Sequence, residues 1–174
     1  MTTLLSEHAP GTATDSARPD PAEAVDPRRA ALAERCGRYH REEHLRARLD
    51  ERARHITVRA GSEYRAVTMP ADLGEHVRAQ LSKSGISAPV VEHRRARRWT
   101  FLTGPAAALD TAAAAQLFRL FATVAPVGSE IVLPSPDDER TGYRTWVQRP
   151  GAALPRLHDV VAATLATAPK RPAR

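Results

Sequence analysis

The chain is short of several things at once. Cys36 is its only cysteine, so no intrachain disulfide can form and nothing points to an oxidising compartment. Lysine is almost missing: of 26 basic residues, all but Lys83 and Lys170 are arginine. With abundant alanine and proline, this implies a GC-rich coding sequence of actinobacterial type, so part of the arginine content reflects codon bias. No long apolar run exists. The most apolar stretch, 104–128, is broken by Asp110, Arg119 and several prolines, which excludes a membrane span there. The opening MTTLLSEHAPGTAT has no basic segment followed by an apolar one, so no secretory signal is expected and a cytoplasmic location is the default reading. Catalytic motifs are also missing. There is no G-x-S-x-G and no P-loop, and a lone cysteine cannot supply a paired-cysteine metal site.

What is present is charge of one sign. The balance of 26 basic to 20 acidic residues gives a formal net charge of +6 over 174 residues, enough to permit association with nucleic acid without requiring it. The charge is unevenly spread. Residues 1–26 carry Glu7, Asp15, Asp20, Glu23 and Asp26 against Arg18 alone, and hold almost no large apolar side chain. Such a segment cannot offset its ordering entropy by burial, so it is read as a disordered acidic tail. The last residues, 169–174, form a short basic tail.

Asp26-Pro27 reads as a helix N-cap followed by proline at the first helical position. Arginine-rich sequence carries that helix to about residue 54, and residues 27–60 are read as a basic amphipathic arm. Its stripe of Leu32, Tyr39, Leu45 and Leu49 is too thin for a buried helix, so the arm is expected to dock on the domain or on a partner. From 61 to 168 the pattern tightens into a domain. SEYRAVTM reads as a strand and PADLGEHVRAQLSKSG as a helix. APVVEH and RWTFLT read as a hairpin about the turn HRRARR. TAAAAQLFRLFATV reads as a second helix and GSEIVLP as a fourth strand. The order is βαββαβ, an α+β fold of ferredoxin-like type. The loop SPDDERTG, an extra strand YRTWVQ and a last helix over about 155–168 follow.

Each motif has a plain reading beside a sharper one. HREEH, 40–44, fits the H-x-x-E-H pattern of inverted zinc peptidases, with Cys36 one turn earlier. The arm offers no cleft or further ligand, so a solvated helix face is preferred and no metal site is assigned. Asp137, Asp138 and Glu139 read as a solvated loop rather than a cation site. Glu92 and His93, adjacent on a strand, point to opposite faces. Trp99 and Phe101 share a face, as core in preference to a base platform. Arg94, Arg95, Arg97 and Arg98 gather in the HRRARR turn, where they can neutralise phosphates.

YRAVTMPADLGEHV, VVEHRRARRWTFLTGP and VGSEIVLPSPDDERTGYRTWVQRPGAALP together resemble the Prim-Pol domain of bifunctional DNA primase/polymerases, over roughly residues 62–165. The most specific piece is Leu133-Pro134-Ser135-Pro136 followed by Gly142, Tyr143 and Trp146. The resemblance implies an RRM-like βαββαβ sheet. It also implies an Asp-x-Asp pair on the first strand, a Gly-Gly-x-His segment on the nucleotide, and a third acid before the last core strand, around two metal ions. Here those places fall on Ala66-Val67-Thr68-Met69-Pro70, on Arg95-Ala96-Arg97-Arg98, and near Ala125-Pro126, with no carboxylate among them. The expectation is a catalytically inactive Prim-Pol-like domain without cofactor, serving as a DNA- or RNA-associated or regulatory module. Its binding residues are expected to be Arg94, Arg95, Arg97 and Arg98, with Arg140, Tyr143, Arg144 and Trp146 next. The alternative is an adaptor that meets a protein partner or a second copy through helix 27–54. Glu92, Glu130 or the 137–139 trio placed around one shared pocket with His93 would collapse the inert-scaffold reading.

Overall fold

The computed structural model describes residues 26–50 and 52–167; the expected tails lie outside the described residues. Helix α1 (Pro27–Arg41) starts as its sequence dictates, with Asp26 Oδ1 accepting from the Arg28 amide at 3.0 Å and proline in the first turn. It stops at Arg41, not 54. Leu45 and Leu49 fit a helical spacing, but Ala47 between them also makes a period of two, and the fold uses the second. Leu45 and Ala47 are buried, Leu49 packs against the same cluster, and the chain runs on as β1 (Arg48–Asp50) and β2 (His55–Arg59).

β3 (Arg65–Pro70) leads into α2 (Ala71–Lys83), and β4 (Val90–His93) and β5 (Arg98–Thr103) form the expected hairpin about a 3-10 turn, Arg94–Ala96. α3 (Thr111–Arg119) ends early, with Phe121 in the left-handed region at φ 53°. The chain then returns to β3 as the two-residue strand β6 (Thr123–Val124). GSEIVLP, expected as the fourth strand of the main sheet, instead becomes β7 (Glu130–Leu133) and pairs with β2. A turn with Gly128 at φ 89° turns the chain there, tied down by reciprocal Gly128–Ala60 and Ala60–Ser129 backbone bonds. SPDDERTG is not a loop. Ser135 and Asp138 form a capping box that starts α4 (Pro136–Thr141). β8 (Arg144–Gln148) and α5 (Leu157–Thr167) complete the chain.

The result is an α+β fold with two antiparallel sheets, β1-β2-β7 and β6-β3-β5-β4-β8. Alternation along the larger sheet decides what each face meets. Val67, Met69, Val90, Trp99 and Phe101 face α2, α3 and α5 in one core, where Trp99 and Phe101 lie 6.5 Å apart as core residues. Gly74 is required by that packing: a Cβ there would stand 2.9 Å from the Trp99 ring. Ala66, Leu102 and Trp146 face the second core, with Leu32, Tyr39, Ile56, Val58 and Leu133. The arm is therefore part of the domain. Tyr39 anchors it, donating to the Pro134 carbonyl at 2.6 Å and accepting from Trp146 Nε1 at 2.9 Å. Among the described residues no helix is long and apolar enough to cross a membrane.

Candidate functional site

A cavity of about 400 Å³ opens between the two sheets, near the 3-10 turn. From β3 come Ala66 and Thr68, from β5 Arg98 and Thr100, and from β4 His93. β7 contributes Glu130, Ile131 and Val132, and Arg95, Ala96, Ala125 and Tyr143 complete the lining. Strand alternation explains the polar set: Thr68 and Thr100 point away from the face that carries Val67, Met69, Trp99 and Phe101.

These polar groups are joined in one hydrogen-bonded chain. Asp138 Oδ2, buried in its capping box, accepts from Ser135 Oγ at 2.8 Å and from Arg144 Nη1 at 2.9 Å. Arg144 Nε faces His93 Nδ1 at 3.4 Å, His93 Nε2 lies 3.0 Å from Thr100 Oγ1, and Thr100 Oγ1 lies 2.9 Å from Thr68 Oγ1. A guanidinium can only donate, so Nδ1 of His93 is the acceptor and the ring proton sits on Nε2. His93 Nε2–H therefore donates to Thr100, and either threonine hydroxyl can donate to the other. Burial holds the His93 pKa down to about 4, reinforced by the charges of Arg144 and Arg98 and opposed by Asp138, so the ring is neutral near pH 7.

Arg98 adds a second donor array. Its Nη2 bonds the carbonyls of Phe121 at 2.6 Å and Thr68 at 3.2 Å, and among the described residues no carboxylate pairs with it. Arg95 is exposed and lies 5.6 Å from the Tyr143 ring centroid, with Arg144 at 5.2 Å. Tyr143 is 43 % exposed.

The eight residues expected from the sequence thus divide. Arg95, Arg98 and Tyr143 line the cavity, and the Arg94 side chain rests against Gly142 beside it. Arg144 is buried and committed to Asp138 and His93. Trp146 serves the second core and Tyr39. Arg97 leans outward toward Asp72 at 3.9 Å, and Arg140 pairs with Asp137 on its own helix at 3.3 Å. Thr68 and Thr100 were not expected; Glu130 was named only as a residue that could meet His93. A threonine on a buried strand, out of phase with Val67 and Met69, was the only signal for the first.

Glu130 does share the cavity with His93, the arrangement under which the inert-scaffold reading fails. Asp137, Asp138 and Glu139 do not. Each is held by arginine: Arg140 on Asp137, Arg144 on Asp138, and both Arg35 and Arg149 on Glu139. Glu92 does not line the cavity; it sits opposite Trp99 in the hairpin register. One carboxylate beside a histidine engaged at both nitrogens does not fit the two-metal centre the resemblance implies, which needs several oxygen ligands. Among the described residues no group of three His, Cys, Asp or Glu could hold a metal ion. His40 and His44 do not share a helical face either, because α1 ends at Arg41 and His44 has φ 52°. No protein-family model matches the chain, and neither the curated proteins nor the solved structures yield a match.

Proposed function

We propose that this chain is a nucleic-acid-binding module built on a Prim-Pol-like domain that lacks the family's catalytic carboxylates. One observation carries the reading. The three separate segments on which the resemblance places catalytic positions, 66–70, 95–98 and 125–126, send Ala66, Thr68, Arg95, Ala96, Arg98 and Ala125 into one cavity. The topology is consistent with it. Counting β3, β4, β5 and β6 as strands one to four of a βαββαβ unit, their order is 4-1-3-2, as in ferredoxin-like and RRM-like sheets.

In this reading the cavity takes a phosphate by direct donation. The guanidinium groups of Arg98 and Arg95 supply charge-assisted bonds, and the Thr68 hydroxyl supplies a neutral one. Tyr143 offers a ring for a base to stack on, and Glu130 accepts from a base amino group or a sugar hydroxyl. Asp138 and Arg144 stand behind His93 and Thr100 and hold the hydrogen-bonded chain that ends at Thr68.

The test is binding of a fluorescent single-stranded oligonucleotide between 50 and 200 mM salt. Each phosphate contact contributes roughly 0.7 to the slope of log affinity against log salt for a single strand. Replacing Arg95 and Arg98 together by alanine removes that one phosphate contact and is expected to lower the slope by about 0.7. Equally weak, salt-independent binding by both proteins would remove the proposal.

A further inference from the structure

The core on the other side of the large sheet contains a charge without a partner. Arg65 is the first residue of β3 and points with Val67 and Met69 toward the helices, and only 7 % of its surface is exposed. Its Nε is buried without a hydrogen-bond partner, and among the described residues its guanidinium makes no ion pair. Burying the Nε–H without an acceptor is unfavourable, because its desolvation is repaid by nothing in the chain. Arg65 lines a cavity of about 230 Å³ under α3, whose other walls are apolar: Leu109, Leu117, Phe118, Ala122 and Val124. Phe118, on the same wall, is 74 % exposed, so this ring stands in water beside a cavity it does not fill.

From these observations we propose a second ligand site, separate from the cavity between the sheets, for a small organic anion with a flat or aliphatic body. The anionic head supplies the two-pronged acceptor that a guanidinium fits, and the body covers Phe118 and the leucines. The cavity's size limits the body to about one ring, well below a nucleotide. The mouth lies beside β6, the shortest strand of the sheet, with Thr123 and Val124 at the rim. The neighbouring apolar walls make a fully hydrated inorganic anion a poor occupant, since it would leave them wet.

The experiment uses the full chain with benzoate, phenyl phosphate, benzamide and inorganic phosphate, read by thermal unfolding and titration calorimetry. Either aromatic anion is expected to raise the unfolding midpoint by roughly 5 °C or more at about 100 times its Kd. Benzamide, with the same ring and no charge, is expected to do nothing. Arg65→Met keeps the length of the side chain and removes the charge. It is expected to raise the midpoint of the ligand-free protein and to abolish the response to both anions. Phe118→Ala, a change at an exposed position, is expected to weaken binding about tenfold with little effect on the free protein. Three results would overturn the site: no response to either aromatic anion, equal responses to benzoate and benzamide, or a lower midpoint for Arg65→Met. A response to inorganic phosphate as large as to phenyl phosphate would overturn the apolar half.

Discussion

His93 gives the sharpest quantitative test. Its folded pKa is lowered from 6.5 to about 4, first by burial and then by the charges of Arg144 and Arg98, with Asp138 opposing. The unfolded chain therefore binds a proton that the folded one refuses between these values, and stability rises with pH across that window. The contribution is complete above pH 6.5 and is lost as the pH falls through it toward 4. At about 1.4 kcal/mol for each pH unit between the two pKa values, the ceiling is about 3 kcal/mol, lowered by water reaching the partly exposed ring. His93→Gln isolates the effect. Its amide oxygen can accept from Arg144 and its amide nitrogen can donate to Thr100, but it does not titrate. Urea unfolding of both proteins at intervals from pH 7.5 to 4 should give curves that diverge by about 2–3 kcal/mol, the parent falling faster. Carboxylates also titrate in this range, but in both proteins, so the difference removes them. Parallel curves would mean that His93 is solvated or charged when folded.

Two further substitutions probe the parts that hold the cavity in place. Tyr39→Phe strips the donor from the Pro134 carbonyl and the acceptor from Trp146 Nε1, and should cost about 1–3 kcal/mol by urea unfolding; an unchanged midpoint would detach α1 from the second core. Gly74→Ala ought to stabilise an ordinary helix interior by about 1 kcal/mol, yet the new Cβ would meet the Trp99 ring at 2.9 Å. A loss of about 1–3 kcal/mol is expected instead, and a gain would mean that α2 does not pack this closely on β5.

Much of the local structure was legible because it rests on neighbours in sequence. Asp26-Pro27 starts a helix through its own side chain and ring. Val90–His93 and Arg98–Thr103 pair about a turn whose residues sit between them. Other features were ambiguous or carried a missed signal. Leu45, Ala47 and Leu49 satisfy two periods, and only the presence of β2 and the second core selects one. Ser135-x-x-Asp138 was a capping box in plain sight, hidden by three consecutive acids that suggested a loop. GSEIVLP was correctly a strand but in the other sheet, since strand partners are set by where the chain turns before it, at Phe121 and Gly128.

The sequence by itself determined the α+β composition, most elements, the basic turn, and the lack of carboxylates at 66–70, 95–98 and 125–126. These follow from residue type, periodicity and spacing, which act over a few residues. Only the tertiary structure decided which arginines are available. Arg95 and Arg98 line a cavity, Arg140 and Arg144 are taken by aspartates, and Arg65 is buried with no partner. A guanidinium's role depends on the acceptors within about 3 Å of it, and distant parts of the chain bring most of those acceptors together.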